Sequence, residues 1–468
     1  MLTDDVFLEI FDFCRKDYYN YPYSRHPVWD WNILVHVCSR WRQIVFASPH
    51  RLDLQILCTY GTPVRKNFNI WPSFPIFLDL YSLRSHTPED EENAITVLKH
   101  PDRVCSVRLY LTGSQFGRIA TVMQEPFPIL TRLYMSSRDG NAAILPANFL
   151  GGSAPRLKEI ILSRIPYPVL PTLLLSAHDL VGLYLRRIPP TGYISPEAMV
   201  VCLAALPRLE SFTIEFQLAT SHFDQIHLPP IPRTVLPALT SFHFHGAYEY
   251  LEDFISQIDS PQLNWIFIDY LNRPVDLQVT QLSEFIDRSV APGLTPSRRV
   301  HVSFHSDRVA FTLYRQANYP GLDRRHVEIN ITSKAFDWRV FDTSQVLSQF
   351  SAALSTVIHL ELEVKFEEDY PLLGADHVEW LHLLRQFPAM QILHASREVA
   401  RFVALALEHT TRETVSEVFP SLKLICLEGQ PASSVEKFVA ARQSSGCPVT
   451  VVNTRMEFIE QLESYVRK

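Results

Sequence analysis

Glycine is scarce, with 14 residues in a chain of 468, against an average usage of about 7%. That argues against glycine-rich phosphate loops and glycine-punctuated propellers. The chain has no Walker loop, no Gly-x-Gly-x-x-Gly, no Gly-x-Ser-x-Gly and no His-Glu-x-x-His. The best-known nucleotide, hydrolase and zinc-protease chemistries therefore have no motif to rest on. The seven cysteines (Cys14, Cys38, Cys58, Cys105, Cys202, Cys426 and Cys447) are scattered, without a Cys-x-x-Cys. An odd, dispersed set reads as reduced intracellular thiols. No basic stretch followed by an apolar run opens the chain, so no secretory signal is read. No apolar run approaches the roughly 18 residues that a membrane helix needs. The terminal Tyr-Val-Arg-Lys is not a lipidation box. The sequon Asn330-Ile331-Thr332 is read as chance, and the expected location is cytoplasmic and/or nuclear, with no membrane partner. Basic excess is missing too: the net charge is −7, which leaves no electrostatic case for nucleic acid.

What is present is a globular composition, 47% hydrophobic and 20% charged, with 33 prolines. The length suffices for a large core or several domains. The first fifty residues carry the densest pattern. Leu2, Val6, Ile10 and Phe13 recur at steps of three or four with Phe7 and Phe11 beside them, one apolar stripe on a helix. Asp4 and Asp5 fall in its first turn, where the helix dipole favours negative charge. Leu34, Val37, Cys38, Trp41 and Val45 repeat the helical spacing. A unit of this size leaves much apolar surface wet unless something covers it. It packs on the rest of the chain or presents a hydrophobic face to a partner.

Leu2, Asp5, Val6, Ile10 and Phe11, followed later by Val37-Cys38-Ser39-Arg40-Trp41, resemble an F-box. The resemblance implies a small three-helix module that docks on the adaptor Skp1, and through it on a cullin, in a ubiquitin ligase. It implies that Leu2, Val6, Ile10, Phe11, Val37 and Trp41 carry adaptor docking or shape its face. Thr3 stands where the family has proline, and the chain starts at the motif, so a short N-terminal piece is expected to precede it. Lys16 to Asn32, broken by Pro22 and Pro27, is longer than the family's connection and reads as an inserted loop. The whole arrangement is similar to the large F-box families of mushroom-forming fungi.

Downstream, Phe74 to Leu80 reads as a strand. Beyond residue 100 an apolar triplet recurs, as in Val104/Val107/Leu109, Leu130/Leu133/Met135, Leu157/Ile160/Leu162 and Leu180/Leu183/Leu185. It continues as Leu209/Phe212/Ile214, Leu239/Phe242/Phe244 and Leu263/Ile266/Ile268, and returns at Val357, Met390 and Leu422. Many copies follow a proline. The spacing is close to that of leucine-rich repeats, each a short strand plus a returning helix. Ser195-Pro196-Glu197 predicts a helix start. Tyr250 to Ile258 predicts an apolar helical stripe, Ser433-x-x-Glu436 a capping box, and Val449 to Val452 a last strand. Three places after the third apolar residue, where the repeat consensus has Asn or Cys, stand Thr112, Arg138, Ile165 and Ile188 among others. A degenerate solenoid is therefore expected. An ordinary α/β domain remains the plainer alternative, because buried parallel strands are apolar in any case. Residues 272–345 fit least, with Val300/Val302/Phe304 and Val327/Ile329/Ile331 alternating as strands.

The expected fold is thus α/β. Residues 1–50 form a small helical F-box, 51–100 a linker and lead-in, and 101–468 an irregular leucine-rich-repeat-like solenoid of parallel strands with returning helices. His243-Phe244-His245 is the most metal-like pair, both imidazoles sharing a strand face, but no third ligand is evident. Glu361 and Glu363 share a face and read as solvated, and 367–369 reads as a solvated acidic turn. No catalytic set, metal or cofactor is read. Outward strand positions form a surface instead: Arg108, Tyr110, Arg132, Tyr134, Tyr184, Arg186, Thr213, Glu215, His243, His245, Phe267 and Asp269. Tyr and Arg are enriched at interface hot spots. Within this set Tyr110, Arg132, Tyr134, Tyr184, Arg186, His243, His245 and Phe267 are assigned to substrate binding. The reading is a non-catalytic substrate receptor of a Skp1–cullin–F-box ligase. The alternatives are a scaffold that binds partners without a ligase, or an α/β enzyme with a site assembled from scattered residues.

Overall fold

The computed structural model describes residues 2–16, 30–48, 51–52, 54–69, 73–81, 87–140, 144–218, 233–271, 279–289, 299–305, 308–315, 325–332, 340–365, 376–409 and 419–453. Of the inserted loop expected from Lys16 to Asn32, residues 17–29 lie outside these residues, as does the acidic turn at 367–369, whereas Lys16 and Asp30 to Asn32 are helical instead. The chain divides into two compact units, Met1–Tyr193 and Ile194–Lys468. Both are α/β, with helices and a mostly parallel sheet.

The first unit opens with three helices, α1 (Asp4–Lys16), α2 (Asp30–Val37) and α3 (Ser39–Ala47). The single helical run expected from Leu34 to Val45 is broken at Cys38. Its backbone is extended, and its sulfur accepts the N–H of Trp41 as the cap of α3. These helices share a core of Leu8, Phe11, Val35, Ile44 and Val45, which continues into Leu52 and Leu54 and takes in the edge of Phe74. Arg40 on α3 donates to the Leu2 carbonyl and to the Asp4 carboxylate, each within 2.8 Å, which seats α1 on α3.

There follow β1 (Ile56–Cys58), α4 (Val64–Asn67), β2 (Ile76–Leu80), α5 (Pro88–Leu98), β3 (Val104–Leu111), α6 (Gly113–Ala120), β4 (Arg132–Ser137), β5 (Glu159–Ser163), α7 (Leu170–Leu174) and β6 (Gly182–Ile188). The six strands lie side by side in chain order, each pair parallel. Parallel neighbours need a crossover, and for two of these the sequence sets a defined helix start. Thr87 and Asp90 form a capping box for α5, as do Thr112 and Gln115 for α6. The apolar triplets bury one face: Leu133 and Met135, Ile160 and Leu162, and Leu183 and Leu185 are buried, while intervening residues stay half-exposed. The first member of each triplet (Leu130, Leu157, Leu180) is buried just ahead of its strand.

The second unit contains α8 (Pro196–Ala204), β7 (Ser211–Phe216), β8 (Thr234–Val235), β9 (Ser241–Gly246), α9 (Tyr248–Ser256), β10 (Ile258–Asp259), β11 (Trp265–Tyr270) and α10 (Thr280–Arg288). Next come β12 (Arg299–His305), β13 (Arg308–Arg315), β14 (Arg325–Thr332), α11 (Val340–Ser348), α12 (Ser351–Leu354), β15 (His359–Lys365), α13 (His377–Leu384), β16 (Ile392–Ala395), α14 (Arg397–Glu408), β17 (Leu424–Leu427), α15 (Glu436–Ser444) and β18 (Thr450–Val452). As expected, Ser195 caps α8 by accepting the Ala198 N–H, with Pro196 in the first turn, and β18 is the last strand among the described residues. Ile258 leaves the expected helical stripe and pairs in β10 with β8. The Ser433 capping box does not form, because Ala432–Val435 is a 3-10 turn and α15 starts after Val435.

The main sheet of this unit runs β7-β9-β11-β14-β13-β12-β15-β16-β17-β18. It corrects the expectation of parallel strands throughout. β13 is antiparallel to both β12 and β14. The reason is local: two residues separate β12 from β13, too few for a parallel crossover, so the chain must return as a hairpin. β13 is a strand that the sequence reading missed. The inset restores parallel pairing on both sides, β11 with β14 and β12 with β15.

Candidate functional site

Three surfaces collect the residues singled out from sequence. The first lies on the N-terminal helices. Leu2, Val6, Ile10 and Val37 are 52%, 41%, 40% and 55% exposed, whereas Phe11 is 2% exposed. Trp41 is half-buried, its ring edge-on to Phe7 at 5.8 Å and to Phe11 at 4.9 Å. The six residues thus divide into four apolar side chains open to solvent and two that pack within the module. Scattered exposed apolar residues are ordinary, but Val6 and Ile10 lie four apart on one helix and so share a face.

The second surface is the open face of the first sheet. Register places Asp79, Arg108 and Tyr134 in one row across β2, β3 and β4, continued by Ile161 and Tyr184 on β5 and β6. The guanidinium of Arg108 lies over Tyr81 at 4.4 Å and Tyr134 at 5.5 Å, and pairs with Asp79 at 3.6 Å. Tyr81 and Tyr134 meet edge-on at 5.1 Å. Burial, and then the hydrogen bond to Tyr81, push the Tyr134 phenol up to about 12, so it stays a neutral hydroxyl. Arg138 sits over Tyr110 at 5.5 Å and Arg186 over Tyr184 at 5.7 Å. Arg132 stands exposed at the other end of β4. Tyr110, Arg132, Tyr134, Tyr184 and Arg186, the five positions of this unit expected to bind a substrate, therefore share one face.

At the carboxyl ends of its strands the same sheet carries residues that the sequence reading passed over. Arg164 and Arg187 have φ of 57° and 51°, a left-handed backbone that costs a side-chain-bearing residue about 1–2 kcal/mol. A signal was available, because Leu162-Ser163-Arg164-Ile165-Pro166 and Leu185-Arg186-Arg187-Ile188-Pro189 are near copies. Ile165 and Ile188 are buried, and a proline follows each.

The third surface is in the second unit. His243 and His245 do share a strand face. The Nδ1 atom of His245 is 2.9 Å from Asp269 Oδ2, and that of His243 is 3.9 Å from Glu215. Phe267 lies beside His243, ring centres 4.5 Å apart, with Trp265 stacked on Phe267 at 5.8 Å. Thr213, expected outward, is buried. Among the described residues no three His, Cys, Asp or Glu side chains converge as a metal site would require. Glu361 corrects the solvated reading. It is buried and accepts from Arg299 at 2.8 Å, with His394 Nδ1 at 3.9 Å. Glu363 is half-buried between His301 at 3.0 Å and Lys365 at 3.2 Å. His394 also meets Glu428 at 3.1 Å, and burial holds its pKa below the ordinary value against the pull of both carboxylates.

No family model matches the chain, and no curated protein sequence matches it significantly. No helix among the described residues is long and apolar enough to cross a membrane.

Proposed function

We propose that the chain is the substrate-recognition subunit of a Skp1–cullin–F-box type ubiquitin ligase, acting inside the cell in the cytoplasm and/or nucleus. In this reading the three N-terminal helices are the F-box. The ordered parallel strands that follow are an irregular leucine-rich-repeat-like solenoid. The observation that carries the proposal is the division of the motif residues. Phe11 and Trp41 pack the module, while Leu2, Val6, Ile10 and Val37 remain apolar and uncovered, the arrangement an adaptor-docking face requires. The tyrosine, arginine and histidine face of the strands supplies the substrate side. The protein catalyses nothing itself. It raises the effective concentration of a substrate lysine near a ubiquitin-loaded enzyme.

The test is a pull-down of purified Skp1 with the full chain and with Val6→Asp plus Ile10→Asp. Both sites are exposed, so circular dichroism should be unchanged while stoichiometric binding is lost. A folded wild-type chain that retains no Skp1 would favour the scaffold reading instead.

A further inference from the structure

In the second unit, the sheet face that carries His243 and Phe267 is not open along its whole width. One register row runs across it from His243 and Phe267 to Glu361, His394, Cys426 and Val452. His243 and Phe267 are half-buried, whereas Glu361, His394 and Cys426 are closed off from solvent. Ile392 and Leu424, two places back along β16 and β17 and so on the same face, are 3% and 4% exposed. Ile392, Leu424 and Cys426 form a small apolar cluster. Among the described residues, the one other apolar side chain packed on it is the half-buried Val452. A sheet face is buried by a second layer laid over it, and strand neighbours do not supply one.

Residues 454–468, which lie outside the described residues, have the sequence of such a layer. They follow Val452 and Asn453 directly, from the strand whose side chain already packs on the cluster. Thr454-Arg455-Met456-Glu457 reads as a capping box. Phe458, Ile459, Leu462, Tyr465 and Val466 then recur at steps that predict one apolar stripe on a helix over 455–467, with Glu460 and Ser464 opposite it. We propose that residues 454–468 fold back as an amphipathic helix across β18, β17, β16 and β15 and close this end of the face in cis.

The lengths agree. A helix over 455–467 measures about 20 Å at about 1.5 Å per residue. From β18 to β15 is three strand spacings, about 14 Å. Other stretches beside these strands suit the task less. The stretch 410–418 carries only Val415 and Val418 as apolar residues, and 366–375 contains Pro371 and Gly374, which break a helical stripe. The inference does not depend on the ligase reading. It says which end of this face is left for a partner, the end with His243 and Phe267.

The experiment compares the full chain with a variant ending at Asn453, by hydrogen exchange and by maleimide labelling of cysteines, both read peptide by peptide. Peptides covering β15 to β17 should exchange at least about tenfold faster in the shortened chain. Cys426, whose thiol burial pushes up to about 12, should become reactive. Peptides covering β7 and β9 should not change, which shows that the rest of the unit stays folded. A saturating synthetic peptide of residues 454–468 should restore protection and shield Cys426. In the full chain, Ile459→Asp with Leu462→Asp should act as the truncation does, and Glu460→Gln should behave as wild type. Unchanged protection with an unreactive Cys426 in the shortened chain would overturn the proposal. So would a loss that spreads to β7 and β9, a loss that the peptide does not restore, or an equal effect of Glu460→Gln.

Discussion

Replacing Phe11 by alanine tests whether the N-terminal helices are held by the core described above. The ring is 2% exposed, shares a cluster with Leu8, Val35, Ile44 and Val45, and lies 4.9 Å from the Trp41 ring. Truncating a buried Phe costs about 3–5 kcal/mol. At about 1.4 kcal/mol per decade, that is roughly two to three and a half decades in the local opening constant. Hydrogen exchange by mass spectrometry reads such opening directly for one region. It also avoids assigning a single unfolding free energy to a 468-residue chain with two units. Peptides from 2–16 and 30–48 should exchange faster by that factor, or reach the unprotected limit. Peptides from β15 to β17 should not change. Val6→Ala, at a 41% exposed site, should stay within about 0.5 kcal/mol. Unchanged protection in Phe11→Ala would refute the assignment of Phe11 to the core, and with it the division of the motif residues.

Two further outcomes concern the second unit. Arg442 is 1% exposed and donates to the carbonyls of Phe419 at 2.6 Å and Leu422 at 2.7 Å. Arg442→Met leaves both acceptors unpaired and should cost about 2–4 kcal/mol, read as a lower denaturation midpoint; a shift under about 0.5 kcal/mol would contradict the role given to the guanidinium. Glu252 accepts the N–H groups of Gln281 at 2.8 Å and Leu282 at 3.1 Å at the start of α10, yet burial pushes its carboxyl up to about 7. An acid whose folded pKa is raised binds its proton more tightly when folded, so stability falls as pH rises from about 4.5 to about 7. Glu252→Gln should flatten that part of the profile of melting temperature against pH; parallel profiles for variant and wild type would contradict it.

Much of the strand pattern was legible because buried parallel strands declare themselves by apolar spacing. Leu133/Met135, Ile160/Leu162 and Phe242/Phe244 all point into the core. The hairpin at β12 and β13 was missed for a physical reason. Val309, Phe311 and Leu313 alternate, but alternation alone does not state direction; the two-residue link does. Helix boundaries shifted where a small residue intervened. Cys38 splits one apolar period into two helices by capping the second. On the surfaces, alternation placed Tyr110, Tyr134, Tyr184, His243 and His245 on open faces. It could not reveal that Glu361 is buried against Arg299, because that pair spans 62 positions of sequence. Arg164 and Arg187 escaped notice because their distinction is a backbone angle, which composition does not register.

The central claim is that the N-terminal helices dock a Skp1-type adaptor. The most direct measurement is hydrogen exchange of the full chain with and without saturating purified adaptor. The account predicts new protection confined to peptides covering 2–16 and 30–48, centred on Val6, Ile10 and Val37. Protection elsewhere with those peptides unchanged, or no protection at any concentration of a folded adaptor, would contradict it.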